Sequence, residues 1–109
     1  IYLGYVTDGE MKALMRCCKA FIHPAKYEGF GLTPMEAMSV GAPIILSNAT
    51  CLPEVYGNTV HYINPDDANV DLNSLLKQPV GESKVVLDKY SWEKTSEIVY
   101  NAIKRIYNI

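Results

Sequence analysis

The sequence predicts an α/β fold, a parallel sheet with helices on both faces. Two observations carry this. Short continuous apolar runs (Ile1–Val6, Ala20–His23, Pro43–Ser47 and Val60–Ile63) alternate with segments of helical period. Strands that are apolar on both sides belong to sheets buried on both faces, and alternation with helices makes those sheets parallel. A third observation locates the chemistry: such sheets bind ligands beyond the carboxyl ends of their strands. The loops that begin at Pro24 and Ser47 lie at such ends.

Each element has its own signal. Thr7 with Glu10 three residues later forms a capping box. It opens a helix to about Lys19, with Met11, Leu14, Met15 and Cys18 on one face. Ala20–His23 is a short buried strand that Pro24 ends. After a loop from Pro24 to Thr33, a helix runs from Pro34 to about Val40, and Gly41 supplies a left-handed stop. Pro43–Ser47 is the next strand, and the loop from Asn48 to Gly57 holds one helical turn at Pro53–Tyr56. Val60–Ile63 follows as a strand. Asn64-Pro65-Asp66-Asp67 then turns the chain into a helix around Val70–Leu76, with Asp66 and Asp67 as caps. Pro79 and Gly81 break the segment from Lys77 to Asp88. Ser91 caps a final amphipathic helix to about Tyr107, in which Ile98, Val99, Ala102, Ile103 and Ile106 keep helical spacing.

The bulk numbers exclude several classes. At 109 residues, 49% hydrophobic and 20% charged, the chain is one ordinary globular domain. A net charge of −2, with no basic cluster longer than Lys104-Arg105, argues against a nucleic-acid partner. No apolar run approaches the roughly 20 residues that span a bilayer. Cys17, Cys18 and Cys51 are odd in number and lack metal-ligand spacing, which predicts free thiols in a reducing, cytoplasmic compartment and no metal site. The strand-like run at residue 1 leads us to expect a piece of a longer protein, a single partial domain over residues 1–109.

The loop between His23 and Pro34 carries the functional reading. Gly29 and Gly31 let the backbone turn sharply and approach a ligand, and the loop feeds a helix start whose free N–H groups attract an anion. A phosphate fits against the amides near Gly31, Leu32 and Thr33, with carboxylates Glu28 and Glu36 on either side suited to hydroxyl groups. A structural reading stands beside this one. Thr33-Pro34-Met35-Glu36 is a second capping box, in which Glu36 only caps its helix and the glycines only form a turn.

Glu28-Gly29-Phe30-Gly31-Leu32 followed by Glu36-Ala37-Met38 resembles the glutamate-x7-glutamate signature of retaining glycosyltransferase family 4, whose GT-B fold joins two Rossmann-like domains. The neighbouring segments resemble the family in order. They are Gly4-Tyr5-Val6, Gly41-Ala42-Pro43-Ile44-Ile45, Pro53-Glu54-Val55 with Gly57, Asn64-Pro65-Asp66-Asp67 and Tyr90-Ser91-Trp92. The resemblance covers nearly the whole chain and implies the C-terminal, donor-binding domain.

It also implies roles. Glu36 accepts hydrogen bonds from the ribose hydroxyls of a nucleotide. Glu28 faces the donor sugar as the catalytic carboxylate, and backbone amides around Gly29, Phe30, Gly31, Leu32 and Thr33 hold sugar hydroxyls and diphosphate. The substrate implied is a nucleotide-diphosphate sugar, with no cofactor and no metal. The partner implied is an N-terminal acceptor domain of the same protein, through which a cytoplasmic enzyme associates with the inner face of a membrane. Glycan or polysaccharide synthesis is the setting.

The chain departs from the family where Ala25-Lys26-Tyr27 follows Pro24, a place where serine is common. Lys26 is read as a solvated loop lysine, and His23 as a packed residue at a strand end. Ser47 and Cys51 lack His or Asp partners for a hydrolase triad. Two carboxylates eight positions apart also suit a glycosidase pair, but the intervening glycine loop fits a sugar nucleotide more simply. The aromatic residues Trp92, Tyr100 and Tyr107 read as core or domain contacts. A rival class remains open, a non-catalytic Rossmann-like module that holds a nucleotide or a protein.

Overall fold

The computed structural model describes residues 1–109. Three parallel strands form its sheet in the order β1 (Phe21–His23), β2 (Ile44–Ser47), β3 (His61–Ile63). Register is continuous across them: Ile22 faces Ile45, which faces His61, and His23 faces Leu46, which faces Tyr62. All four residues of β2 are buried, so both faces of the sheet are covered. This is the α/β arrangement that the continuous apolar runs predict.

Helix α1 (Asp8–Cys17) starts at the expected capping box: the Thr7 hydroxyl accepts from the Glu10 N–H, and the Glu10 carboxylate accepts from the Thr7 N–H at 2.7 Å. Its inward face is narrower than its pattern, with Met15 buried and Cys18 half-buried while Met11 and Leu14 stay largely exposed. Helix α2 (Leu32–Ser39) links β1 to β2 and packs against both strands and α1. Gly41 ends this region at φ +86°, the left-handed stop read from the sequence. Helix α3 (Leu52–Tyr56) links β2 to β3 and buries Leu52, Val55 and Tyr56. These three side chains join Met15, Met38, Ile44, Leu46 and Val60 in one core.

Three expectations are corrected. The run Ile1–Val6 is no strand: it makes no ladder, and Ile1, Tyr2, Leu3 and Tyr5 are exposed. A strand needs a neighbour for its N–H and C=O groups, and apolar composition alone supplies none. The cap of α4 (Leu72–Leu76) is Asp71, which accepts from the Asn73 and Ser74 amides; Asp66 and Asp67 lie earlier in the turn. The segment broken by Pro79 and Gly81 still forms α5 (Lys84–Lys89), which buries Val86 against the core and packs on α2.

Helix α6 (Trp92–Tyr107) stands apart from this core. Ser91 caps it as predicted, accepting from the Lys94 N–H at 3.1 Å, and none of its residues is buried. Of the two expected roles for Trp92, Tyr100 and Tyr107, the core is thereby excluded and the exposed surface of a domain contact is left. The described chain is elongated, with extents of 56 × 29 × 24 Å and a radius of gyration of 16.6 Å, against about 13 Å for a compact chain of this size.

Candidate functional site

Parallel strands bring their carboxyl ends to one edge, here His23, Ser47 and Ile63. Three loops leave that edge and are tied to one another. Ser47, fully buried, donates its hydroxyl to the Ala25 carbonyl, which joins the end of β2 to the loop after β1. The Asn48 N–H donates to the Ile63 carbonyl at 2.9 Å. Lys26 Nζ lies 2.5 Å from Asp66 Oδ1 in an ion pair across the edge, while both side chains stay largely exposed, as expected of a solvated loop lysine. Asp66 raises the Lys26 pKa by hydrogen bonding and by charge.

Glu28 stands at the centre of this edge. Its carboxylate Oε2 lies 3.0 Å from His23 Nε2, and both side chains keep about a quarter of their surface, 28% and 26%, open to solvent. His23 is thus a largely covered strand-end residue, as read from the sequence, and it is also the hydrogen-bond partner of Glu28. The hydrogen bond from His23 holds the Glu28 carboxyl below its ordinary range against the opposing effect of burial, and the amides of Gly31 and Phe30 lower it further. An ionised carboxylate only accepts, so Nε2 carries the proton in this pair.

The main chain of Glu28 is held as well. Its N–H donates to Thr50 Oγ1 at 3.2 Å, and its carbonyl accepts from Cys51 Sγ at 3.2 Å. Thr50 adopts φ +52°, a left-handed conformation that a β-branched residue rarely takes. Neither Thr50 nor Cys51 carries a motif that names it from sequence. Their signal is tertiary, 22 and 23 residues from Glu28.

The start of α2 differs from the expected capping box. Gly31, not Thr33, occupies the cap position; it has φ +91° and offers no side chain. Thr33 and Pro34 therefore lie inside the first turn, where a proline lacks only an N–H that would be unpaired anyway. The reason is a contact from α3. The buried Tyr56 hydroxyl donates to the Gly31 carbonyl, and Leu52 and Tyr56 pack so closely that a Cβ on Gly31 would meet Leu52 Cδ2 at 2.9 Å. Burial pushes the Tyr56 phenol well above its ordinary pKa, which keeps it a donor. The helix consequently begins with the Leu32 and Thr33 amides making no hydrogen bond within the chain.

Glu36 is exposed on α2 and makes no side-chain hydrogen bond, so it does not cap its helix. It lines a shallow cleft of about 270 Å³ together with Asp8, Lys12 and Ser39. The side chains of Phe30 and Leu32 turn the other way, into an apolar cleft of about 390 Å³ with Met35, Tyr90 and Trp92. Phe30 meets Tyr90 edge-on at 5.0 Å between ring centres. Gly29 is exposed at the loop tip with open space around it. The predicted residues thus surround one helix start without sharing one cavity. No group of three or more His, Cys, Asp or Glu side chains gathers as metal ligands would, and the three cysteines are free thiols. No helix is long and apolar enough to cross a membrane.

Comparison with known proteins places this edge in a wider setting. The family model described as glycosyl transferases group 1 matches residues 1–104. The chain belongs to this family. Among its relatives, the O-antigen chain mannosyltransferase B of Escherichia coli is 35% identical over 94% of this chain and 29% of that protein. The serotype-specific mannosyltransferase WbdA of Escherichia coli is 33% identical over 97% of this chain and 14% of its own length. The MMP alpha-(1->4)-mannosyltransferase of Mycolicibacterium hassiacum is 30% identical over 93% of this chain and 29% of that protein. The chain therefore spans less than a third of these group 1 relatives. No solved structure matches it.

Proposed function

We propose that these residues are the donor-binding, C-terminal domain of a GT-B glycosyltransferase that moves a sugar from a nucleotide-diphosphate donor to an acceptor with retention at the anomeric carbon. The observation that carries this reading is Glu28, an ionised carboxylate fixed at the carboxyl edge of the sheet beside a helix start with two unpaired amides. A carboxylate suits sugar hydroxyls and the positive charge that develops at an anomeric carbon. The Leu32 and Thr33 amides suit the departing diphosphate, and removing one such preorganised donor typically costs about 2.7–4 kcal/mol of transition-state stabilisation.

In this reading Glu28 is the catalytic carboxylate and Glu36 accepts from the ribose hydroxyls. The amides of Gly29, Phe30, Gly31, Leu32 and Thr33 serve sugar and diphosphate. The Leu32 and Thr33 amides open α2 without a partner in the chain and are the first to serve a diphosphate. No metal takes part, and the reaction proceeds in the cytoplasm, at a membrane face where the rest of the protein provides contact. The acceptor side belongs to an N-terminal domain, and residues 1–109 alone do not turn over.

The names of the relatives make a mannosyl donor the first to test and O-antigen or related polysaccharide synthesis the setting. The test uses the full-length protein with a panel of nucleotide-diphosphate sugars. Glu28→Ala lowers kcat, Glu36→Ala weakens nucleotide binding measured by calorimetry, and NMR of the product shows the anomeric configuration kept. If both variants keep full activity and affinity, the assignment of these two residues fails; if the unchanged protein transfers no sugar from any donor of the panel, the domain is a non-catalytic nucleotide or protein module.

A further inference from the structure

Glu28 is unusual in being held at each of its three polar groups by a different residue. His23 takes the carboxylate, Thr50 the N–H and Cys51 the carbonyl. Thr50 and Cys51 are adjacent, and they approach the loop from the far side, out of the turn that leads from β2 into α3. Two consecutive residues therefore grip the peptide groups on either side of one Cα, which fixes both the position and the rotation of that backbone segment.

The grip has a conformational cost. Thr50 sits at φ +52° although a β-branched side chain disfavours this region, by about 1–2 kcal/mol for an L-residue. Glycine takes this φ freely. What Thr50 offers that glycine lacks is the hydroxyl, and that hydroxyl accepts the Glu28 N–H. Backbone strain that persists together with a contact to a site residue points from the outlier to a role.

We infer that Thr50 is a positioning residue for Glu28, its strained backbone being retained because only that conformation aims Oγ1 at the Glu28 N–H. Cys51 completes the hold through the carbonyl as a weaker, adaptable donor. The inference rests on the reading of Glu28 as the catalytic carboxylate. It acts on turnover more than on affinity for the nucleoside diphosphate, because Glu36 and the Leu32 and Thr33 amides proposed for ribose and diphosphate belong to α2, whose start is held by Gly31 and Tyr56.

The test compares Thr50→Gly, Thr50→Ser and Glu28→Ala in the full-length enzyme. Glycine removes the strain and the hydroxyl together. Thr50→Gly melts within a few degrees of the unchanged enzyme while kcat falls about 10- to 100-fold, the loss expected when a reacting group is misplaced by up to about 1 Å, and the affinity for the nucleoside diphosphate alone, measured by calorimetry, changes little. Thr50→Ser, which keeps the hydroxyl, restores most of that turnover. If Thr50→Gly retains full turnover while Glu28→Ala loses it, the positioning role is wrong and the catalytic reading stands. If Thr50→Ser falls as far as Thr50→Gly, the hydroxyl is not the cause and the inference fails. Full turnover in Glu28→Ala removes the catalytic reading and the inference with it.

Discussion

His23 Nε2 and Glu28 Oε2 lie 3.0 Å apart across the mouth of the loop that follows β1. The pair converts a short strand end into a support for the carboxylate. Because the contact lowers the Glu28 pKa in the folded state, its contribution to stability is complete above the ordinary carboxyl value of 4.5 and disappears as pH falls through the lower folded value. Urea midpoints measured from pH 7 to pH 3 for the full-length protein and for His23→Ala should show a gap between the two that narrows only below about pH 4.5. A gap that stays constant to pH 3 contradicts the pairing.

Gly31 is the position least tolerant of a side chain. It combines φ +91° with a Cβ site 2.9 Å from Leu52 Cδ2 and 3.3 Å from Tyr56 Cε2. Gly31→Ala should destabilise by about 1–3 kcal/mol from strain at a positive φ, and it should also weaken nucleotide binding by moving the Leu32 and Thr33 amides. Chemical denaturation and calorimetry read the two effects. An unchanged denaturation midpoint would show that the loop relaxes freely.

Tyr56→Phe isolates a single buried hydrogen bond, since the ring remains. The Gly31 carbonyl still accepts from the Met35 N–H at 3.3 Å and is not orphaned. The loss should therefore sit near the ordinary value for one hydrogen bond, about 1 kcal/mol. Ring packing unchanged, the same variant should keep its near-ultraviolet dichroism. A loss several times larger would mean that the hydroxyl organises more than the helix start.

Thr7→Ala separates stability from function. Removing an N-cap side chain typically costs about 1 kcal/mol, and Thr7 makes its side-chain hydrogen bonds only with Glu10 of α1, not with Glu28 or its supports. Thermal melting should show the loss while kcat for the donor stays that of the unchanged enzyme.

Much of this architecture was legible in the sequence because its causes are local. Thr7 with Glu10, Ser91 before α6 and Gly41 after α2 act within one turn of themselves, and the structure keeps all three. The three strands follow from continuous apolar runs that need burial on both sides. What sequence misreads has distant causes. The start of α2 is moved two residues forward by Tyr56, which lies 25 positions from Gly31, so the local Thr33–Glu36 signal loses to a tertiary contact. The Ile1–Val6 run has strand composition but no ladder. In the candidate site, the sequence singles out Glu28 through its glycine loop and the family resemblance, whereas its contacts with Thr50 and Cys51 become visible only when β2 and β1 are side by side.

The ties among the three strand-end loops have a mechanical consequence. Ser47 to Ala25, Lys26 to Asp66 and Asn48 to Ile63 stitch separate segments across one edge, and Thr50 with Cys51 adds a fourth seam at Glu28. These ties cross from one loop to the next, so a displacement of any one loop breaks contacts with its neighbours. The exposed Lys26–Asp66 pair is the weakest of the seams, and the buried Ser47 hydroxyl the most protected.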